Sequence, residues 1–176
     1  MRRLRALSIA AAIAVPGYGG ATDAAPALGV PATAADLEAH DTMVFPDGTG
    51  LPPGAGTVRD GASLYLEQCA ACHGQRGRGG PGGELAGGTE PLTSDTPDQT
   101  IGTYWPFATT LFDFIRRAMP ITAPGSLDDD QVYALTAYLL FENGLLPEGA
   151  RLDADKLRAI QMPNRHGFIG IDAPAP

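Results

Sequence analysis

Cys69-Ala70-Ala71-Cys72-His73 sets two thiols three residues apart and an imidazole directly after the second. At that spacing two thiols can add across the two vinyl groups of one haem, and the next residue offers a ring nitrogen to its iron. This is the C-x-x-C-H attachment pattern. Two cysteines also serve a thioredoxin-like redox pair, a lone disulfide or half of a zinc site. The first wants a βαβ context that the flanking sequence lacks, and the third wants more cysteines than the two present. A lone disulfide fits an exported chain but leaves His73 and the glycine-rich stretch after it without a purpose.

An iron held by His73 takes its sixth ligand from elsewhere, and Met43, Met119, Met162, His40 and His166 are the candidates. Met119 is favoured: it stands 46 residues after His73, ends an apolar run and precedes Pro120. Met43 and Met162 lie in flanks with little periodicity, and His40 and His166 read as solvated. An open or His-ligated iron is the alternative. Tyr104 and Trp105 read either as core aromatics or as donors, through the phenol O–H or Nε1–H, to a haem propionate. Arg116 and Arg117 divide in the same way between solvent and a propionate. Pro81 reads either as a plain loop proline or as lying beside His73, with a nearby carbonyl accepting the Nδ1–H and orienting the ring.

These groups need helices to place them. Asp60 reads as an N-cap for a helix from Gly61 to Cys72, with Gly61, Tyr65 and Cys69 on one face. Gly74 to Gly88 holds eight glycines and a proline, so it is a loop whose backbone can pass close to something bulky. Leu111 to Ala118 follows as a helix capped by Thr109 or Thr110 and stopped by Pro120. Ser126-Leu127-Asp128-Asp129 resembles a capping box for a helix to about Asn143, with Gly144 as its stop. A short helix over Asp153 to Ile160 precedes a proline-rich tail. No strand run of weight and no internal repeat is visible.

The 176 residues suit one ordinary domain with extensions, and 44% apolar residues suffice for a core. The 23 glycines and 16 prolines point to a loop-rich fold. A net charge of −8, with one Lys and eleven Arg, argues against nucleic acid as a partner, which general phosphate neutralisation would require to meet excess positive charge. Arg2, Arg3 and Arg5 precede a ten-residue weakly apolar stretch, Ala6 to Val15, broken by Pro16 and Gly17. That is the pattern of a cleaved signal peptide, too short to span a bilayer, and it directs the chain to a periplasm. No later segment approaches the ~18 apolar residues of a span, so the processed chain is not expected to be an integral membrane protein. The expected organisation is a signal peptide over 1–24, an extended lead-in over 25–57 lying on the domain surface and disordered in its first dozen residues, a domain over 58–146 and a C-terminal extension over 147–176.

From about Gly61 to Gly144 the sequence resembles class I cytochromes c. Gly61 and Tyr65 stand at that family's Gly and aromatic positions before the first Cys, and Leu135 and Tyr138 match the last-helix residues that cross them. The resemblance implies an all-α fold: a single cytochrome c domain, three main helices around one covalently bound haem c, with extended N- and C-terminal segments. The block Ile101-Gly102-Thr103-Tyr104-Trp105-Pro106-Phe107 through Arg116-Arg117-Ala118-Met119-Pro120 is narrower in kind. With Gly50-Leu51-Pro52-Pro53-Gly54-Ala55-Gly56 and Met162-Pro163-Asn164-Arg165-His166-Gly167-Phe168, it is similar to cytochrome subunits of sulfite dehydrogenases and of the sulfur dehydrogenase of thiosulfate oxidation. The single-domain length is nearer the sulfite dehydrogenase subunit.

The likeness implies a mono-haem electron carrier without substrate chemistry of its own. Its partners would be a molybdenum-containing sulfite-oxidising subunit and a downstream cytochrome or oxidase. A carrier for another periplasmic dehydrogenase, or a haem enzyme with an open iron site, are the alternatives, and a non-haem domain held by a Cys69–Cys72 disulfide is a third. Partner docking is expected where Ala70, Ala71 and Gln75 face the 120–124 segment, with Arg76 guiding orientation from the rim.

Overall fold

The computed structural model describes residues 29–169, so the expected signal segment and the end of the C-terminal extension lie outside the described residues. The leading unit ends at residue 38, and a second runs from residue 39 onward. Where an extended lead-in was expected, helix α1 (Ala34–His40) forms instead. Thr33 caps it: its Oγ1 accepts from the Asp36 N–H, and the Asp36 carboxylate accepts from the Thr33 N–H and O–H.

In the second unit everything is arranged about one helix, α6 (Asp129–Glu142), in which every residue from Val132 to Leu140 is buried. A helix apolar on all sides belongs in the middle of a fold. Asp128 caps it, accepting from the Gln131 N–H at 2.8 Å while Gln131 Oε1 accepts from the Asp128 N–H at 3.0 Å. The capping box is therefore Asp128 to Gln131, two residues beyond the Ser126 start expected from the sequence. Gly144, at φ 73°, ends the helix as anticipated.

Helix α2 (Val58–Gln68) starts three residues before the expected Gly61, because Thr57 and not Asp60 caps it: Thr57 Oγ1 accepts from the Asp60 N–H. Two short strands also correct the sequence reading, β1 (Ala55–Thr57) and β2 (Arg151–Asp153), paired antiparallel with Gly56 opposite Leu152. Three-residue strands are too short to show an alternating pattern. A Cβ on Gly56 would sit 2.2 Å from the Ala134 backbone nitrogen, so β1 and α2 both approach α6 at Ala134 through a glycine.

After the attachment segment come α3 (Ala70–His73), a short 3-10 turn over Gln75–Gly77, α4 (Ile101–Tyr104) and α5 (Ala108–Ala118). Phe107 is the cap position of α5, not Thr109, whose buried hydroxyl donates to the Pro46 carbonyl. The last helix, α7 (Ala154–Ala159), is capped by Asp153.

Residues 42–53 are strapped onto this frame by Val44, Pro46, Gly48 and Pro52. Tyr133 O–H donates to the Pro52 carbonyl, and the Val44 N–H donates to Asp113. Asp113 is almost fully buried. Burial alone would raise its pKa, but hydrogen bonds from the Arg117 guanidinium and the Val44 N–H outweigh that and hold it below the ordinary carboxylate value. A carboxylate with a depressed folded pKa stabilises the fold above its unfolded value of ~3.9, and that stabilisation is lost as pH falls through the folded pKa. Asp113→Asn is expected to cost about 1–3 kcal/mol at pH 7. Urea titrations at pH 7 and below pH 3 should show the gap between wild type and variant close at the acid end.

Candidate haem site

The two cysteines sit at a break. Cys69 ends α2 with φ −119° and ψ −36°, and its N–H donates to Tyr65 O at 2.9 Å; α3 then begins as a new turn, closed by the His73 N–H on Cys69 O at 2.9 Å. The single helix expected over Gly61–Cys72 is thus two pieces, and the second carries Cys72 and His73. Both cysteines are free thiols. Burial, and then the proximity of Cys72, push the Cys69 thiol up to about 11.

Behind them the glycine-rich loop folds back. The Gly82 N–H donates to Cys72 O at 2.7 Å, and His73 Nδ1 lies 3.1 Å from Gly83 O. A carbonyl only accepts, so Nδ1 carries the proton and Nε2 is left free to ligate. The accepting carbonyl expected near Pro81 is that of Gly83. A side chain on Gly82 would press on the imidazole, its Cβ 2.9 Å from His73 Cε1. Tyr65 is fully buried and donates its O–H to Gly74 O at 3.0 Å, and burial pushes its pKa up to about 12.

Tyr65, Cys69, Cys72 and His73 line a cleft. Met119 lines the same cleft, with Ile115 from α5 and Leu135 and Leu139 from α6. The lining is mostly apolar with a few soft or imidazole donors, the make-up of a cofactor pocket. Met119 caps the C-terminus of α5, its N–H on Ile115 O at 3.1 Å, and begins the segment Pro120–Thr122, which also lines the cleft.

Of the other ligand candidates, Met43 is about half exposed, Met162 is buried in the core at 3% exposure, and His40 and His166 are exposed. None of the four lines the cleft. Tyr104 and Trp105 do not line it either. Tyr104 packs edge-on to Phe168 at 5.2 Å, and Trp105 edge-on to Phe114 at 5.9 Å. Arg116 is held by the Thr42 carbonyl and Asp129, and Arg117 by Asp113. Arg76, expected at a docking rim, is paired to Glu142 with its side chain still 65% exposed. Sequence reasoning passed over Leu135 and Leu139 as cleft-lining residues, though their spacing of four along one apolar helix was a readable signal.

Comparison with known proteins agrees with this geometry. Residues 56–139 match the family described as cytochrome c oxidase, cbb3-type, subunit III. Over 88 residues, half of the chain, the sequence is 32% identical to thiosulfate dehydrogenase of Stutzerimonas stutzeri (strain A1501), and the match spans only 28% of that protein. A chain in the crystal structure of the sulfane dehydrogenase SoxCD from Paracoccus pantotrophus is similar at a TM-score of 0.73 and 39% identity, over 84% of this chain and 73% of that one. This chain belongs to the c-type cytochromes and is related to the cytochromes of sulfur and sulfite dehydrogenases. Its role is electron transfer and its cofactor a covalently bound haem c. The residues present fit that group: two free thiols at attachment spacing, an imidazole with Nε2 free, a thioether in the same cleft and apolar walls.

Proposed function

We propose that this chain is a periplasmic mono-haem subunit that accepts electrons from a molybdenum-containing sulfite-oxidising partner and passes them to a downstream cytochrome or oxidase. The single observation that carries the electron-transfer part is that Cys69, Cys72, His73 and Met119 line one apolar cleft. In this reading Cys69 and Cys72 would carry the two thioether links, and His73 Nε2 and Met119 Sδ would ligate the iron. When bound, haem c supplies reversible one-electron iron chemistry.

The remaining work belongs to the protein. Gly83 O fixes the imidazole tautomer and ring plane. Ile115, Leu135 and Leu139 keep water from the cleft. A thioether ligand favours the ferrous state and raises the potential. The described lining residues include no carboxylate and no second imidazole for acid–base work, which favours a carrier over a haem enzyme with an open iron. Likeness to a chain of a sulfane dehydrogenase supports a sulfur-oxidising donor. The basic start followed by a short apolar run supports export. Among the described residues no helix is long and apolar enough to cross a membrane.

The experiment has two readings. Produced with cytochrome c maturation machinery, the chain should gain the mass of one haem and keep its haem stain after denaturing electrophoresis; an apo mass overturns the carrier reading. Mixed with a molybdenum sulfite-oxidising subunit, the oxidised protein should be reduced on addition of sulfite. A haem-loaded protein that stays oxidised overturns that partner alone.

A further inference from the structure

Among the described residues, Arg76 is the one non-glycine with a left-handed backbone, at φ 58° and ψ 24°. Its neighbours Gly74, Gly77, Gly79 and Gly80 reach positive φ without a Cβ. A side chain kept where glycine would be free of strain is held there by something outside the turn. Here that is Glu142. Arg76 Nε donates to its two carboxylate oxygens at 2.9 and 3.2 Å. The Glu142 side chain is only 3% exposed, whereas that of Arg76 is 65% exposed. The buried member is therefore the carboxylate, and Arg76 reaches across from the loop to pair it.

The place of this pair gives it consequence. Arg76 lies three residues after His73, in the segment whose Gly74 carbonyl accepts from Tyr65 O–H and whose Gly77 carbonyl accepts from the Leu85 and Ala86 N–H groups. Glu142 ends α6 beside Asn143, which donates to Leu85 O and accepts from the Gly102 N–H. One turn earlier Tyr138 stacks on Tyr65 at 5.1 Å, and Tyr65 lines the cleft. The Glu142 carboxylate thus stands one aromatic pair behind the cleft, and its burial leaves it poorly screened by solvent.

We propose that Arg76 is a positioning residue for His73: by pairing with the buried carboxylate of Glu142 it pins the imidazole-bearing loop to α6 and neutralises a charge behind the cleft. This rests on the reading of His73 as an iron ligand. An orienting contact should show in the ring's spectroscopic signature, and a charge should show in the reduction potential with a sign that follows the charge removed.

The test uses the haem-loaded full chain and the variants Arg76→Gly, Glu142→Gln and the double variant Arg76→Gln/Glu142→Gln. Arg76→Gly relieves the backbone strain yet is expected to lower the potential and to broaden or double the hyperfine-shifted His73 ring resonances. Glu142→Gln should raise the potential, since it leaves the positive charge unpaired. The double variant should return near the wild-type potential while its ring resonances stay doubled. An Arg76→Gly protein with unchanged potential and one sharp set of ring resonances overturns the proposal, as does a shift of both single variants in the same direction. A His73→Ala protein with an unaltered ferric spectrum would instead overturn the ligand reading beneath it.

Discussion

Replacing Met119 with Ala should leave the haem attached, lower the reduction potential, and let cyanide or carbon monoxide bind at once. Attachment survives because the thioether links come from Cys69 and Cys72, elsewhere in the cleft lining. The potential falls because water or hydroxide in place of a thioether no longer favours the ferrous iron. A loss on the order of two decades in the one-electron equilibrium corresponds to ~120 mV. Redox titration and ligand-binding spectra of the purified variant measure both effects. The other methionines serve as internal controls. Met43 is about half exposed, so Met43→Ala should change neither potential nor stability appreciably. Met162 is 3% exposed, so Met162→Ala should cost ~2–5 kcal/mol of stability and leave the spectrum intact. A Met119→Ala protein with wild-type spectrum and potential, beside an altered Met43 or Met162 variant, would move the ligand to another methionine.

Gly61→Val should all but abolish accumulation of folded, haem-loaded protein. A Cβ at residue 61 would lie 1.9 Å from the Ala134 carbonyl oxygen, 2.5 Å from its carbon and 2.8 Å from Tyr138 Cβ. The first two are backbone atoms of a helix buried along its length, so relief requires α6 to move away from α2 as a body. Overpacking of a well-filled core costs ~1–3 kcal/mol and occasionally more. With backbone on the receiving side, about 3 kcal/mol or above is expected even for Gly61→Ala. Haem yield and denaturant midpoint report the loss. Gly149→Ala is the contrast: nothing lies within 4 Å of a Cβ there, and the change should stay within about 0.5 kcal/mol. Equal midpoints for Gly61→Ala and Gly149→Ala would mean that the two helices do not cross at residue 61.

The sequence alone carried the chemistry, because that chemistry is local. Cys69, Cys72 and His73 lie within five consecutive residues, and the requirement they satisfy is a short-range spacing. Met119 stood out as a candidate for a related reason: the run from Leu111 ends in Met-Pro, and Pro120 lacks the N–H to continue a helix. Gly144, as the stop of α6, was equally local. Boundaries set by competition between neighbouring caps were not. Asp60 and Thr57 can each begin α2, and Thr57 prevails because it also ends a strand paired to β2, some 95 residues away. The strands themselves escaped notice because three residues show no period.

The environment of each side chain was settled only by tertiary structure. Tyr104 and Trp105 offer polar tips in any setting, and only packing sends them to Phe168 and Phe114 and out of the cleft lining. Arg116, Arg117 and Arg76 carry the same charge along the sequence, yet each is committed to a different carboxylate, at Asp129, Asp113 and Glu142. Asp113 and Glu142 are buried only because Val44 and Arg76, distant along the chain, fold against them. Spacing and residue type specify which groups can bind a haem, since those demands act over a few bonds. Burial and charge pairing join residues dozens of positions apart, and they come into being only when the chain closes on itself.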